Sequence, residues 1–268
     1  MGDTGDPGRA AAALTGSVRA AYDAVRQSRT GPEPVYAALA GALVAHVAAS
    51  LPSARVLDLG AGTGTAGRAA LAAGAAEVVA ADLALAPLRQ CEPPLRRVAA
   101  DAAALPFRDD SFTVVLAAFS LTHASDLGAA LAQARRVGRM LVASTFAPGW
   151  GHPAKTAVDV VLSRFGYRPP AWYPTFKQET EPRLGDTRLV RELAAAAGYS
   201  RVESTVIGVS TGLAAPAQLA AWRLGMAHIG PFVASIDVAR QADLRHAAEG
   251  AVSGCEPLVV DMLVHVAS

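Results

Sequence analysis

Three aspartates set beside short apolar runs are the groups in this chain best placed to do chemistry: Asp58, Asp82 and Asp101. The first lies in Val56-Leu57-Asp58-Leu59-Gly60-Ala61-Gly62-Thr63-Gly64. Val56, Leu57 and Leu59 suit a strand covered on both faces. Gly60, Gly62 and Gly64 lack Cβ atoms, so the backbone can turn sharply and come close to a ligand. The run from Thr65 to Ala73 then reads as a helix whose first amides point into the same crevice. In an open parallel sheet, such a crevice is where a nucleoside-containing ligand binds.

Gly62 to Gly67 formally fits the dinucleotide fingerprint G-x-G-x-x-G. Asp58 speaks against a pyrophosphate, because a carboxylate beside it repels. A ligand carrying an ammonium and a sulfonium would welcome that acid. Ala76 to Ala81 reads as a second strand ending at Asp82, placed to accept both hydrogen bonds of a ribose diol. A third strand, about Leu95 to Ala100, ends in Asp101-Ala102. Leu105-Pro106-Phe107 and the turn Arg108-Asp109-Asp110-Ser111 lead to a fourth, Phe112 to Ala118. Each acid taken alone could be an ordinary cap or turn residue. As a set they favour a nucleoside site.

These motifs closely resemble those of class I S-adenosylmethionine-dependent methyltransferases, in the small-molecule branch that includes the ubiquinone and menaquinone enzymes. The resemblance covers roughly residues 33 to 145, and beyond it mainly the element order matches. It implies an α/β, Rossmann-like, seven-stranded and mostly parallel sheet with an antiparallel last strand and helices on both faces, to which this chain is expected to add helical cap insertions of its own. It also implies S-adenosylmethionine as cofactor. Gly60, Ala61, Gly62 and Gly64 would shape its amino-acid end with Asp58 in support, and Asp82 and Leu83 would hold the ribose. Asp101 and Ala102 would meet the adenine, and Ala118 would line the site from the fourth strand. Amino-methylating nucleic-acid enzymes carry Asp/Asn/Ser-Pro-Pro-aromatic after that strand, where this chain has Ala118-Phe119-Ser120-Leu121.

Composition agrees with a small-molecule enzyme. The 268 residues suffice for one large α/β domain with additions. A net charge of +1 implies no general attraction to nucleic acid or anionic membrane. Of 24 basic residues only Lys155 and Lys177 are lysine, and the arginines form no stripe. Cys91 and Cys255 give neither a disulfide framework nor a metal spacing. No signal peptide is evident, and the longest apolar stretch, Val35 to Leu51, is broken by Gly41, His46 and Ser50. A cytoplasmic protein without stable membrane insertion or metal is expected.

The elements that must position the site extend the reading. Residues 1–13, rich in Gly, Asp and Pro, are expected to be disordered, and residues 14–268 to form a single domain. Its N-terminal helices (14–50) divide at Gly31-Pro32 into Ser17–Arg29, carrying Tyr22, and Glu33–Ser50, with Pro34 in the first turn. A helix over Asp126–Arg136 and a fifth strand over Gly138–Thr145 follow. Relatives usually have a Lys-Pro-Gly-Gly turn there, which Arg136-Val137-Gly138-Arg139-Met140 shortens. A helix over Thr187–Ala197 ends at Gly198, a sixth strand covers about Arg201–Ser210, and a last strand covers Pro257–Val266. Two insertions, about 148–182 and 213–252, are expected to cap the crevice. The first concentrates aromatics that could line an apolar acceptor pocket or pin down an irregular loop; the second reads as helices Pro216–His228 and Asp237–Ala251 joined by Gly230-Pro231.

Methyl transfer is an in-line displacement, and alignment alone can supply about 7–11 kcal/mol. A base is needed only for some acceptors. His123, after the fourth strand, is the candidate base, with a structural or cofactor-contact role as the competing reading. Tyr22, His152, Trp172, Tyr173, Trp222 and His228 are the candidate contacts to a small-molecule acceptor. Trp222, Met226, His228 and Phe232 of the second insertion could close the pocket or instead pair subunits in a homodimer. Two other functions stay open: a protein that binds S-adenosylmethionine without transferring methyl, including a sulfonium-assisted rearrangement, and a nicotinamide-dependent oxidoreductase.

Overall fold

The computed structural model describes residues 7–24 and 31–268. Seven strands form one sheet: β1 (Arg55–Leu59), β2 (Glu77–Asp82), β3 (Arg96–Ala99), β4 (Phe112–Ala118), β5 (Gly138–Phe146), β6 (Val202–Ser210) and β7 (Val259–Ala267). Their order is β3-β2-β1-β4-β5-β7-β6. All neighbouring pairs are parallel except those of β7, which runs antiparallel to both β5 and β6. The expected fold class is therefore the observed one. Crossing from β1 outward in both directions puts a topological switch point between β1 and β4, above the glycine turn.

Alternation along the central strands explains their double burial. Val56, Val78, Val114 and Leu116 face one core together with Leu39 and Leu43 of helix α2 (Glu33–His46). Leu57, Leu59, Val79, Val115 and Ala117 face the other, against later helices. The first core also takes in the cap. Helix α3 (Thr65–Ala72) follows the glycine turn, and the short α4 (Leu85–Leu88) follows β2.

At the N-terminus the structure differs from expectation. Helix α1 spans Pro7–Ala24, so residues 7–13 are helical rather than disordered. The alanine run from Ala10 to Ala13 favours helix, and Pro7 costs nothing at a first position. The remainder of that expected tail, residues 1–6, and positions 25–29 of the expected helix lie outside the described residues.

Helix α5 (Leu127–Val137), capped by Asp126 through the Ala129 amide at 2.9 Å, runs directly into β5. The shortened turn has thus become no turn at all. The first insertion is helical: α6 (Pro153–Arg164), α7 (Trp172–Thr175), a π-type turn over Phe176–Thr180 and α8 (Glu181–Gly185). Helix α9 (Thr187–Ala196) precedes β6 as expected. The second insertion holds three helices instead of two: α10 (Pro216–Leu224), α11 (Gly230–Ser235) and α12 (Val238–Ala251). Gly230-Pro231, read as a linker, opens α11, since proline suits a first helical turn. Among the described residues no helix is long and apolar enough to cross a membrane.

Gly138 makes the direct α5–β5 join feasible. A Cβ there would lie 2.6 Å from Cγ2 of the buried Val115. Gly138→Ala is expected to lower stability by roughly 1–3 kcal/mol through this overpacking. Urea unfolding should show a lower midpoint with an unchanged slope.

Candidate active site

The glycine turn is held from two sides by carboxylates. Gly60, Gly62 and Gly64 have φ of +71°, +55° and +80°, conformations costly for any other residue. The Gly62 amide donates to Asp82 Oδ2 at 2.7 Å, and the Ala84 amide to Asp82 Oδ1 at 2.8 Å. Asp82 thus ties the β1 turn to the end of β2. Each of its oxygens keeps a further lone pair for a ligand. Burial raises its pKa, and those backbone donors pull it back.

Asp58 is buried, and its Oδ2 accepts the Gly67 amide at 2.8 Å. It clamps the first turn of α3 onto β1 and lines the same cavity. Burial pushes its pKa up to about 7, and the nearby Asp82 adds to this. A ligand ammonium or sulfonium there would favour the ionised form.

Gly60 has a second reason to be glycine. A Cβ on it would lie 2.2 Å from Ser120 Cβ, and Ser120 Oγ donates to the Leu59 carbonyl at 2.6 Å. The loop after β4 therefore seats directly on the glycine turn. Phe119 in that loop adopts φ +55°, an uncommon conformation for an aromatic residue.

A cavity of about 290 Å³ opens above this turn. Of the residues expected at the cofactor, Asp58, Gly60, Ala61, Gly62, Asp82, Leu83, Asp101, Ala102 and Ala118 all line it. Gly64 is the exception: it caps α3 behind the turn, where a Cβ would strike Leu95 and Cys91. Asp101 Oδ1 accepts the Ala103 amide at 2.9 Å, leaving Oδ2 as a further acceptor. Helix α1 covers the mouth, pinned by Asp23 accepting the Ala86 amide of α4 at 2.8 Å.

A second cavity, about 510 Å³, lies under the two insertions. Tyr22, Trp172, Tyr173, Trp222 and His228 line it, among the acceptor contacts expected. His152 does not: its Nδ1 accepts the Ala154 amide at 3.2 Å and caps α6, while its ring meets the edge of Trp222. Tyr22, Tyr36, Phe119, His123, Met226 and Ala227 border both cavities. Met226, expected from its insertion to close a pocket, is among them; Tyr36 and Phe119 escaped the sequence reading. Only Phe119 had a local signal, its place directly after β4.

His123 sits at this junction. Its Nε2 is 3.0 Å from the Tyr22 hydroxyl, and its ring stacks on Phe176 at 4.7 Å. Part of the ring meets the cavities, while Nδ1 is shut off from water and has no partner. Desolvation lowers its pKa to about 4, so it is neutral at pH 7. Burial likewise raises the pKa of Tyr22, keeping its phenol protonated.

Asp58 supplies a test that needs no ligand. Its folded pKa is raised, so its contribution to stability is full below about pH 4 and lost as pH rises toward about 7. Asp58→Asn removes the titration while keeping an acceptor for Gly67. The variant should gain stability relative to wild type between pH 5 and pH 8, measured by chemical denaturation. A pH-independent difference would place the Asp58 titration elsewhere.

Residues 57–140 match a family model described as a methyltransferase domain. The chain is 37% identical over 129 residues to the demethylmenaquinone methyltransferase of Renibacterium salmoninarum, covering 46% of this chain and 54% of that one. It is 32% identical over 168 residues to the demethylmenaquinone methyltransferase of Thermobifida fusca, covering 55% and 69%. The chain thus spans about half the length of the first relative and just over two thirds of the second. A solved structure from Anabaena variabilis, named as a methyltransferase of an antibiotic biosynthesis pathway, superposes with TM-score 0.59 over 84% of this chain and 96% of that one. At 17% identity that likeness speaks for the fold alone. With 32% identity carried across 69% of a relative, on a sheet of this strand order, the chain belongs to the class I S-adenosylmethionine-dependent methyltransferases.

Proposed function

We propose that this protein transfers a methyl group from S-adenosylmethionine to a small, flat acceptor held under the cap. One observation carries the reading: two cavities, one over the glycine turn and one under the insertions, share a wall at Tyr22, Tyr36, Phe119 and His123. A two-substrate displacement needs such adjoining chambers. When bound, the cofactor supplies an electrophilic methyl group on a sulfonium.

The chain's residues suit that cofactor. Asp82 offers two acceptors to the ribose hydroxyls, Asp101 one to the adenine amino group, and Asp58 negative charge near the amino-acid end. A pyrophosphate would meet Asp58 and Asp82 instead of free amides, which weighs against a dinucleotide. The acceptor side is aromatic: Phe146 stacks on Trp150 at 4.8 Å and Tyr173 on His228 at 3.8 Å. Such walls suit a planar molecule.

His123, depressed to about 4, is a weak base at neutral pH. Its bond to Tyr22 and its stack on Phe176 support a positioning role at the junction. The same reading has a cytoplasmic enzyme acting on neither nucleic acid nor membrane. A homodimer paired through the cap helices belongs to the same reading.

Calorimetric titration tests the cofactor. S-adenosylhomocysteine should bind the wild type, NADH should not, and Asp82→Ala should weaken binding roughly a hundredfold by removing charged acceptors. Binding by NADH, or an unaffected Asp82→Ala, would sink the assignment. For His123→Ala, a kcat loss of about tenfold or less is expected with a turned-over acceptor. A proton-abstracting role would cost roughly 10²–10⁴-fold and impose an inflection on the pH–rate profile.

A further inference from the structure

The outer cavity carries charge that a purely apolar acceptor would leave unanswered. Lys155 and Lys177 are the only lysines of the chain, and both line this one cavity with Arg223. Three acids stand near them, and each is already engaged. Asp159 takes both Nε and a terminal nitrogen of Arg223, at 2.9 and 2.8 Å, from the solvent side. Glu181 pairs with Lys177 one turn away, and Asp186 caps α9 through the Arg188 and Leu189 amides.

Lys155 is different. Among the described residues it has no carboxylate within ion-pair distance, and its ammonium lies 4.9 Å from the Trp150 ring centroid. Burial lowers its pKa, Arg223 and Lys177 lower it further, and Glu181 and Asp159 offset this only in part. His228 completes the corner. It is buried, stacked flat on Tyr173, and its Nε2 has no partner. Burial, then Arg223, Lys177 and Lys155, push its pKa down to about 3. The same three cations thus act on one orphaned imidazole, and of the three only Lys155 leaves its corner of the cavity without a paired carboxylate. Leaving it empty costs free energy, since a desolvated cation without a partner is destabilising.

We infer that the acceptor is an anion: a planar molecule whose ring lies among the aromatic walls and whose carboxylate or phosphate group sits against Lys155, Arg223 and His228. The inference rests on the two-cavity reading above and names the substrate class of that site. His228 is a neutral donor to the anion through Nε2–H, and Lys155 is its counter-charge. Trp150, beneath Lys155, keeps the ammonium aimed inward.

Having only two lysines makes the test direct. The full chain labelled with 13Cε-lysine gives two side-chain signals, and Lys155→Met assigns them. Titration with 2-naphthoate, 2-naphthyl phosphate and the neutral 2-naphthamide, with and without S-adenosylhomocysteine, reads the preference. At least one anion should shift the Lys155 signal saturably and bind about tenfold or more tightly than the amide. Lys155→Met should abolish that preference while circular dichroism and S-adenosylhomocysteine affinity stay unchanged. The tighter of the two anions identifies carboxylate or phosphate as the group. Equal affinities for anion and amide, a preference that survives Lys155→Met, or no Lys155 shift with either anion would overturn the inference. Failure of S-adenosylhomocysteine to bind, with the anion preference intact, would overturn the cofactor assignment instead.

Discussion

The hydrogen bond from the Gly62 amide to Asp82 is the constraint on which the site depends. Three positive-φ glycines, alternating with Ala61 and Thr63, make a turn with little intrinsic preference for one shape. Asp82 supplies that preference by anchoring the turn to the neighbouring strand end. Asp58 does the same on the other side by holding Gly67. Both carboxylates serve the fold and stay available to a ligand, because a carboxylate oxygen has more than one lone pair. The polar groups that shape the crevice are those that would recognise what enters it.

Burial sets the electrostatic character of the two chambers. Over the glycine turn, desolvated acids lie without a buried cation of their own, an arrangement that suits a positively charged ligand. Under the cap, Lys177 and Arg223 are paired with Glu181 and Asp159, while Lys155 stands without a carboxylate partner near the orphaned His228 and the aromatic walls. Between them, Tyr22 and His123 are bonded to each other and both neutral. The junction therefore adds no charge of its own to either chamber.

The cap is built from contacts distant in the chain. A Cβ on Gly225 at the end of α10 would lie 2.5 Å from Pro32, so the second insertion seats on the start of α2. Arg223 of α10 joins Asp159 of α6, and the Tyr167 hydroxyl donates to the His228 carbonyl at 2.9 Å. These bonds lock the two insertions to each other and to the N-terminal helices, closing the outer chamber.

The sequence by itself determined what depends on neighbours within a few residues. Doubly buried strands, glycines at positive φ and acids at strand ends are local consequences of residue type, and β4 and β6 fell within a residue of their expected bounds. All the named cofactor positions except Gly64 line the inner cavity for that reason. At the start of α1, local Gly, Asp and Pro argue against helix, yet the helix propensity of the alanine run prevails. Only the tertiary structure decided the acceptor side. Lys155, Lys177, Arg223 and His228 come from two insertions whose periodicity says that helices form but not how they pack. Their convergence, the capping role of His152 and the wall formed by Tyr36 and Met226 follow from long-range packing. Desolvation, which sets the charge of each of these groups, exists only once that packing is made.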